Sequence, residues 1–138
     1  MKKAVLLTVG VSCLLVGMAV PAKAQFGRTM TLSGEVPFAF VSGNRTIQAG
    51  KYSIEIREEQ VQFIDTRGHV VCGVFSNERR ENGRDEQPRL VFHRYGDAYF
   101  LRQIWTTDHK LDFGMSRSEY KLQAGLKVEQ GTVILAMR

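Results

Sequence analysis

Lys51-Tyr52-Ser53-Ile54-Glu55-Ile56 puts Tyr52, Ile54 and Ile56 on one side of an extended chain and Lys51, Ser53 and Glu55 on the other. A hydrophobic period of two marks a strand with one buried and one wet face, the usual pattern of an antiparallel sheet. The alternation returns in Val61-Gln62-Phe63-Ile64 after the polar corner Arg57 to Gln60. Asp65-Thr66-Arg67-Gly68 then turns the chain into the apolar run Val70 to Phe75.

Farther out, Leu90 to Tyr95 and Ala98 to Trp105 are strand-like runs joined by Gly96-Asp97, a two-residue link suited to a hairpin turn. Thr132 to Met137 reads as a final strand. Met30 to Leu32 and Val36 to Phe40 read as extended, with Pro37 favouring an edge or bulge. One stretch has a different character. Ser116-Arg117-Ser118-Glu119 fits a capping box, Tyr120 to Ala124 continue it with good helix formers, and Gly125 can end it. The expected fold is therefore all-β: a single antiparallel meander of seven to eight strands, closing as a small barrel or sandwich, with one short helix near the C-terminus. Glu78 to Gln87 is too polar to bury; it is expected to form a mobile loop or hairpin tip around Asn82-Gly83 and to carry no site.

The start of the chain points to export. A basic Met1-Lys2-Lys3 precedes the uncharged apolar run Ala4 to Val20, and Pro21-Ala22-Lys23-Ala24 supplies a helix breaker and an Ala-x-Ala cleavage site. This order reads as a secretory signal peptide over residues 1–24, leaving one β domain over residues 25–138 in the periplasm or outside the cell. Three of the nineteen Lys and Arg residues lie in that leader, so the mature domain holds sixteen basic against fourteen acidic residues. Such a near-balanced, interspersed charge argues against nucleic acid as a partner. Cys13 departs with the leader, and the remaining Cys72, inside an apolar strand, is expected to be a buried, unreactive thiol.

Two segments together resemble a family of small exported bacterial all-β proteins with no established function. The first is Val36-Pro37-Phe38-Ala39-Phe40, the Gly43-Asn44 turn and the Ala49-Gly50-Lys51-Tyr52 corner; the second is His93-Arg94-Tyr95-Gly96-Asp97 running into Tyr99-Phe100-Leu101 and Ile104-Trp105. Gln48 stands where the family pattern usually has Pro. The resemblance implies export and an all-β fold, and it implies no chemistry.

Candidate chemistry is sparse. His93 and Asp97 flank the hairpin turn, where a catalytic reading would make His93 a general base oriented by Asp97. No nucleophile can be assigned to that pair, and a turn-stabilising polar cluster is the simpler expectation. Tyr95, Tyr99, Arg102 and Trp105 gather in the same hairpin, a composition suited to sugar or amphipathic ligands. Strict alternation would place Tyr99, Leu101, Gln103 and Trp105 on one face, and Trp105 is expected there as a core anchor. His69, His93 and His109 show no metal-ligand spacing, Asp108-His109 reads as a loop, and neither metal nor cofactor is expected. The leading expectation is a non-enzymatic exported domain of the cell envelope that binds a partner protein or a small amphipathic or glycan ligand. A small hydrolase using His93 and Asp97, or a surface protein assembling through sheet edges, are the alternatives.

Overall fold

The structure, a computed structural model, describes residues 28–81, 87–125 and 130–138. The expected leader and the expected tip around Asn82-Gly83 lie outside the described residues. Eleven strands and one helix follow in order: β1 (Thr29–Val36), β2 (Phe40–Ser42), β3 (Arg45–Ile47), β4 (Gly50–Arg57), β5 (Gln60–Ile64), β6 (Val70–Phe75), β7 (Glu78–Glu81), β8 (Arg89–Tyr95), β9 (Ala98–Trp105), β10 (His109–Asp112), α1 (Arg117–Gly125) and β11 (Gln130–Ala136). The chain is predominantly β, as its alternation requires, and the helix sits where the capping box placed it.

The strands make two sheets, neither closed into a barrel. The first runs β1-β4-β5-β6 and the second β11-β8-β9-β10-β7, with β2 joined to β9 by a parallel bridge at Val41 and Phe100. A single meander is therefore not what forms, and the strand count exceeds the expected seven to eight. β1 skips past the β2–β3 hairpin to pair with β4, and β11 returns across α1 to pair with β8. Pro37 explains the first skip. It sits between β1 and β2, where its missing N–H ends the ladder and separates Val36 from Phe40.

Buried residues of both sheets join in one core cluster. Leu32, Ile54 and Phe63 from the first meet Phe92, Leu101 and Ile104 from the second, all at most 4% exposed. Cys72 is buried beside them with its Sγ 3.8 Å from the Ser42 carbonyl, and burial pushes its thiol pKa up. The Gly50–Tyr52 corner has a physical account: the Tyr52 hydroxyl donates to the Gln48 carbonyl at 2.6 Å and pins the entry to β4. Gly43 and Gly96 both adopt φ of 60°, the left-handed conformation their turns need, whereas Asn44 and Asp97 do not. Ser33 and Arg138 exchange backbone hydrogen bonds at 2.8 and 3.0 Å, which ties β1 to the residues following β11.

Strict alternation fails at one place in the central hairpin. Val91 pairs with Gln103 but Phe92 pairs with Leu101, so Arg102 is an extra, unpaired residue in β9. Such a bulge reverses the face of everything beyond it. Leu101 and Ile104 both reach the core, and Gln103 and Trp105 turn to the opposite face. Trp105 is consequently no core anchor: it is half-buried, with the Arg89 guanidinium 4.0 Å and the Lys110 ammonium 5.3 Å from its ring centroid.

Candidate functional site

Beneath α1, Tyr95 and Arg102 of the β8–β9 hairpin gather around Glu119 of the helix. Ser116 Oγ accepts the Glu119 backbone N–H at 3.1 Å, which caps the helix as its sequence suggests. The Glu119 side chain does not complete a capping box. It points inward, 1% exposed, onto the second sheet. There Tyr95 donates its hydroxyl to Glu119 Oε1 at 3.0 Å, and Arg102 donates Nη1 to the same oxygen at 3.1 Å. Arg102 also donates Nε to the Phe113 carbonyl at 3.0 Å, so the bulge residue is clamped at both ends of its guanidinium. Gln130 donates to the Tyr95 hydroxyl at 3.3 Å from β11.

His93 borders this cluster without joining its hydrogen bonds. Its Nδ1 is 3.5 Å from Glu119 Oε1 and has no hydrogen-bond partner. Burial, and then the Arg102 charge, hold its pKa below the ordinary histidine value, against the opposing pull of Glu119. Burial and the Glu119 carboxylate keep the Tyr95 phenol protonated by raising its pKa. The carboxylate near His93 is therefore Glu119. Asp97 is exposed in its turn and makes no hydrogen bond or ion pair with any described residue.

The other sequence candidates scatter. Tyr99 stacks on Phe38 with ring centroids 3.8 Å apart and packs against the core. Trp105 donates Nε1 to Gln103 Oε1 at 3.0 Å on the far face. The structure thus unites His93, Tyr95 and Arg102 and leaves Asp97, Tyr99 and Trp105 apart. Glu119 is the member that sequence reasoning missed. The available signal was chemical: three polar groups on a buried sheet face need an acceptor, and Glu119 is the acid that the capping-box helix carries toward them.

A second location offers access to a ligand. Residues of both sheets line a cleft of about 570 Å³. Met30 of β1, Ile56 of β4 and Leu111 of β10 give it an apolar floor. Its rim is polar: Arg28, Glu58, Arg79, Thr106, Thr107, Asp108 and His109. Neither Asp108-His109 nor the Glu78 to Gln87 stretch is what the sequence suggested. His109 opens β10, and Glu78 to Glu81 form β7 against it, which brings Arg79 into the cleft wall. Of that stretch, residues 82–86 lie outside the described residues, and Arg79 is the member that lines the cleft.

Hydrogen bonds order one wall of the cleft. The Thr106 side chain closes the turn into β10, accepting the His109 N–H at 2.9 Å, with the His109 carbonyl at 3.1 Å and Asp108 Oδ1 at 3.2 Å as the two acceptors within reach of its one proton. His109 Nδ1 lies 2.9 Å from Asp108 Oδ1, and Arg79 Nη2 lies 3.1 Å from His109 Nε2. Because the guanidinium can only donate, Nε2 accepts and Nδ1 carries the proton to Asp108. His109 is the first cause holding the Asp108 carboxyl below its usual range. On the rim, Glu58 sits in the β4–β5 turn at φ of 53°, the one described non-glycine residue in the left-handed region. Such a conformation costs about 1–2 kcal/mol.

A further depression is lined mainly by polar groups, among them Ser33, Lys51, Asp65 and Thr66. Among the described residues there is no metal-ligating cluster, and no helix is long and apolar enough to cross a membrane. No family model, curated protein or solved structure matches the chain.

Proposed function

We propose that this chain is an exported binding domain of the bacterial envelope that takes a small amphipathic ligand into the cleft lined by both sheets of a two-layer β sandwich. The observation that carries the reading is the cleft. Its volume of about 570 Å³ falls in the range of small-molecule sites, roughly 300–1,000 Å³. Apolar side chains floor it and polar ones rim it, which matches a molecule with a hydrocarbon part and a polar end. The leader over residues 1–24 supports the location. The buried cluster around Glu119 supports a structural task for His93, Tyr95 and Arg102, because Glu119 is 1% exposed and His93 is only half-buried beneath the helix.

Calorimetric titration of residues 25–138 with dodecyl-chain amphiphiles below their micellar concentrations tests the reading. Saturable one-to-one binding is expected. Met30→Glu, which puts a charge on the half-buried floor, should remove the binding and keep the cooperative melt. No binding by any dodecyl compound, or binding that Met30→Glu leaves untouched, defeats the proposal.

Assembly through sheet edges is a second reading with its own observation. β6 ends the first sheet, and its Val70 and Phe75 are 53% and 68% exposed. Its six residues carry no charge to discourage pairing with another strand. Sedimentation at increasing concentration decides it: a monomer throughout removes this alternative.

A further inference from the structure

We infer that the amphiphile's head group is an acid, a carboxylate or phosphate monoester, held by Arg79 and oriented by the Asp108–His109 pair. The inference rests on the cleft being the ligand site and adds the chemistry of the end that faces the rim. Arg79 comes from β7 and projects at the cleft wall. Its one partner among the described residues is the His109 ring, reached at 3.1 Å. A neutral imidazole accepts one of the five guanidinium N–H bonds and cancels none of the charge. Asp108 fixes the tautomer that makes this acceptance possible, and Thr106 holds the turn that carries both residues. The chain Thr106–Asp108–His109–Arg79 therefore ends in a positioned cation that touches no carboxylate among the described residues.

A guanidinium held in this way is suited to an oxyacid. Its remaining N–H groups form a planar fork that matches two oxygens of a carboxylate or phosphate. Holding it before the ligand arrives reduces the ordering cost of binding. Arg28 adds a second cation to the same rim and has no partner among the described residues. Glu58 opposes this preference. It lines the cleft with no partner among the described residues, so its carboxylate repels an acidic head group. That makes a head group of one acid function a better fit than a polyanion. Asp108 and His109 are positioning residues, since they act through Arg79.

The experiment compares four dodecyl probes on residues 25–138 by calorimetry: dodecanoate, dodecyl phosphate, dodecyltrimethylammonium and dodecyl maltoside. The two acids should bind at least about tenfold more tightly than the neutral and cationic probes. Whichever acid binds more tightly identifies the carboxylate or phosphate source. Arg79→Gln should abolish the preference by bringing the affinity of the two acids down to that of dodecyl maltoside. Asp108→Asn should weaken the acids only, a pattern that a general structural defect would not produce. Equal affinity for all four probes overturns the head-group inference and leaves the cleft reading intact. Failure of every probe overturns both. An acid preference that survives Arg79→Gln, in a variant that still melts cooperatively, overturns the assignment to Arg79.

Discussion

Replacing Arg102 by Met should cost this domain about 3 kcal/mol, and replacing Glu119 by Gln should cost clearly less. The two side chains meet at 3.1 Å. At an effective dielectric of about 20, unit charges at that separation attract by about 5 kcal/mol. Water reaches the Arg102 side chain, which is 23% exposed, but not Glu119, at 1%. Screening at the arginine therefore reduces the attraction, and the cost settles near the lower end of the 3–5 kcal/mol range for breaking a buried pair. Losing Arg102 leaves a carboxylate buried with Tyr95 as its remaining donor, and leaves the Phe113 carbonyl without its Nε partner. Losing the Glu119 charge instead strands a guanidinium that can still be hydrated, while the amide oxygen of Gln can keep the Tyr95 bond. Urea denaturation at neutral pH measures both singles and the double variant. The Arg102→Met midpoint should fall well below that of Glu119→Gln. The double should lose less than the sum of the singles by about 1–2 kcal/mol. Equal small losses, adding without coupling, would refute the claim that the helix is fastened to the sheet by charge.

Three other outcomes follow from the same geometry. Trp105→Ala should cost about 1–2 kcal/mol, the scale of two partly exposed cation–π contacts and modest burial, whereas Phe92→Ala, at 0% exposure, should cost about 3–5 kcal/mol; equal losses in thermal melts would contradict the bulge-based assignment of faces. His93 has a folded pKa below its ordinary 6.5, so the unfolded chain takes up the proton first and stability should decline as pH falls from about 6.5 through the folded value. His93→Gln should flatten that decline, and an unchanged pH profile would remove His93 as its source. Glu58→Gly should be neutral or stabilising by about 0.5–1 kcal/mol because φ of 53° costs glycine little; a loss of stability in chemical denaturation would show that the Glu58 side chain contributes more than its backbone costs.

The regular part of this fold was legible because alternation reports burial directly. Val70 to Phe75 and Ala98 to Trp105 are strands with the bounds the sequence suggested, and Ser116 caps the helix it announced. Pairing order was not legible, since nothing local in Met30 to Val36 says that its partner is β4 rather than β2. The bulge at Arg102 was equally hidden: one unpaired residue changes no composition, yet it moved Trp105 from the expected core to the far face. β7 and β10 were missed for a related reason. Glu78-Arg79-Arg80-Glu81 has no apolar alternation and is held by its ladder to β10, so its hydrophobicity resembles that of a loop. The candidate site inherits these errors. Arg79 and His109 reach one cleft only through that ladder, and Glu119 reaches His93, Tyr95 and Arg102 only through the return of the chain across the sheet.

The backbone exchange between Ser33 and Arg138 joins positions near opposite ends of the folded domain. Met137 lies over Gly34 at that seam, so closely that a β-carbon on residue 34 would collide with its sulfur. In a chain made N-terminus first, this seam forms only after Met137 and Arg138 have been made. β1 ends the first sheet, so the seam covers that edge of the eight-residue strand at Ser33 alone. That contact is thereby among the last in the described domain to become available during synthesis, so the strand that is made first is also the one whose outer edge is covered late and at a single position.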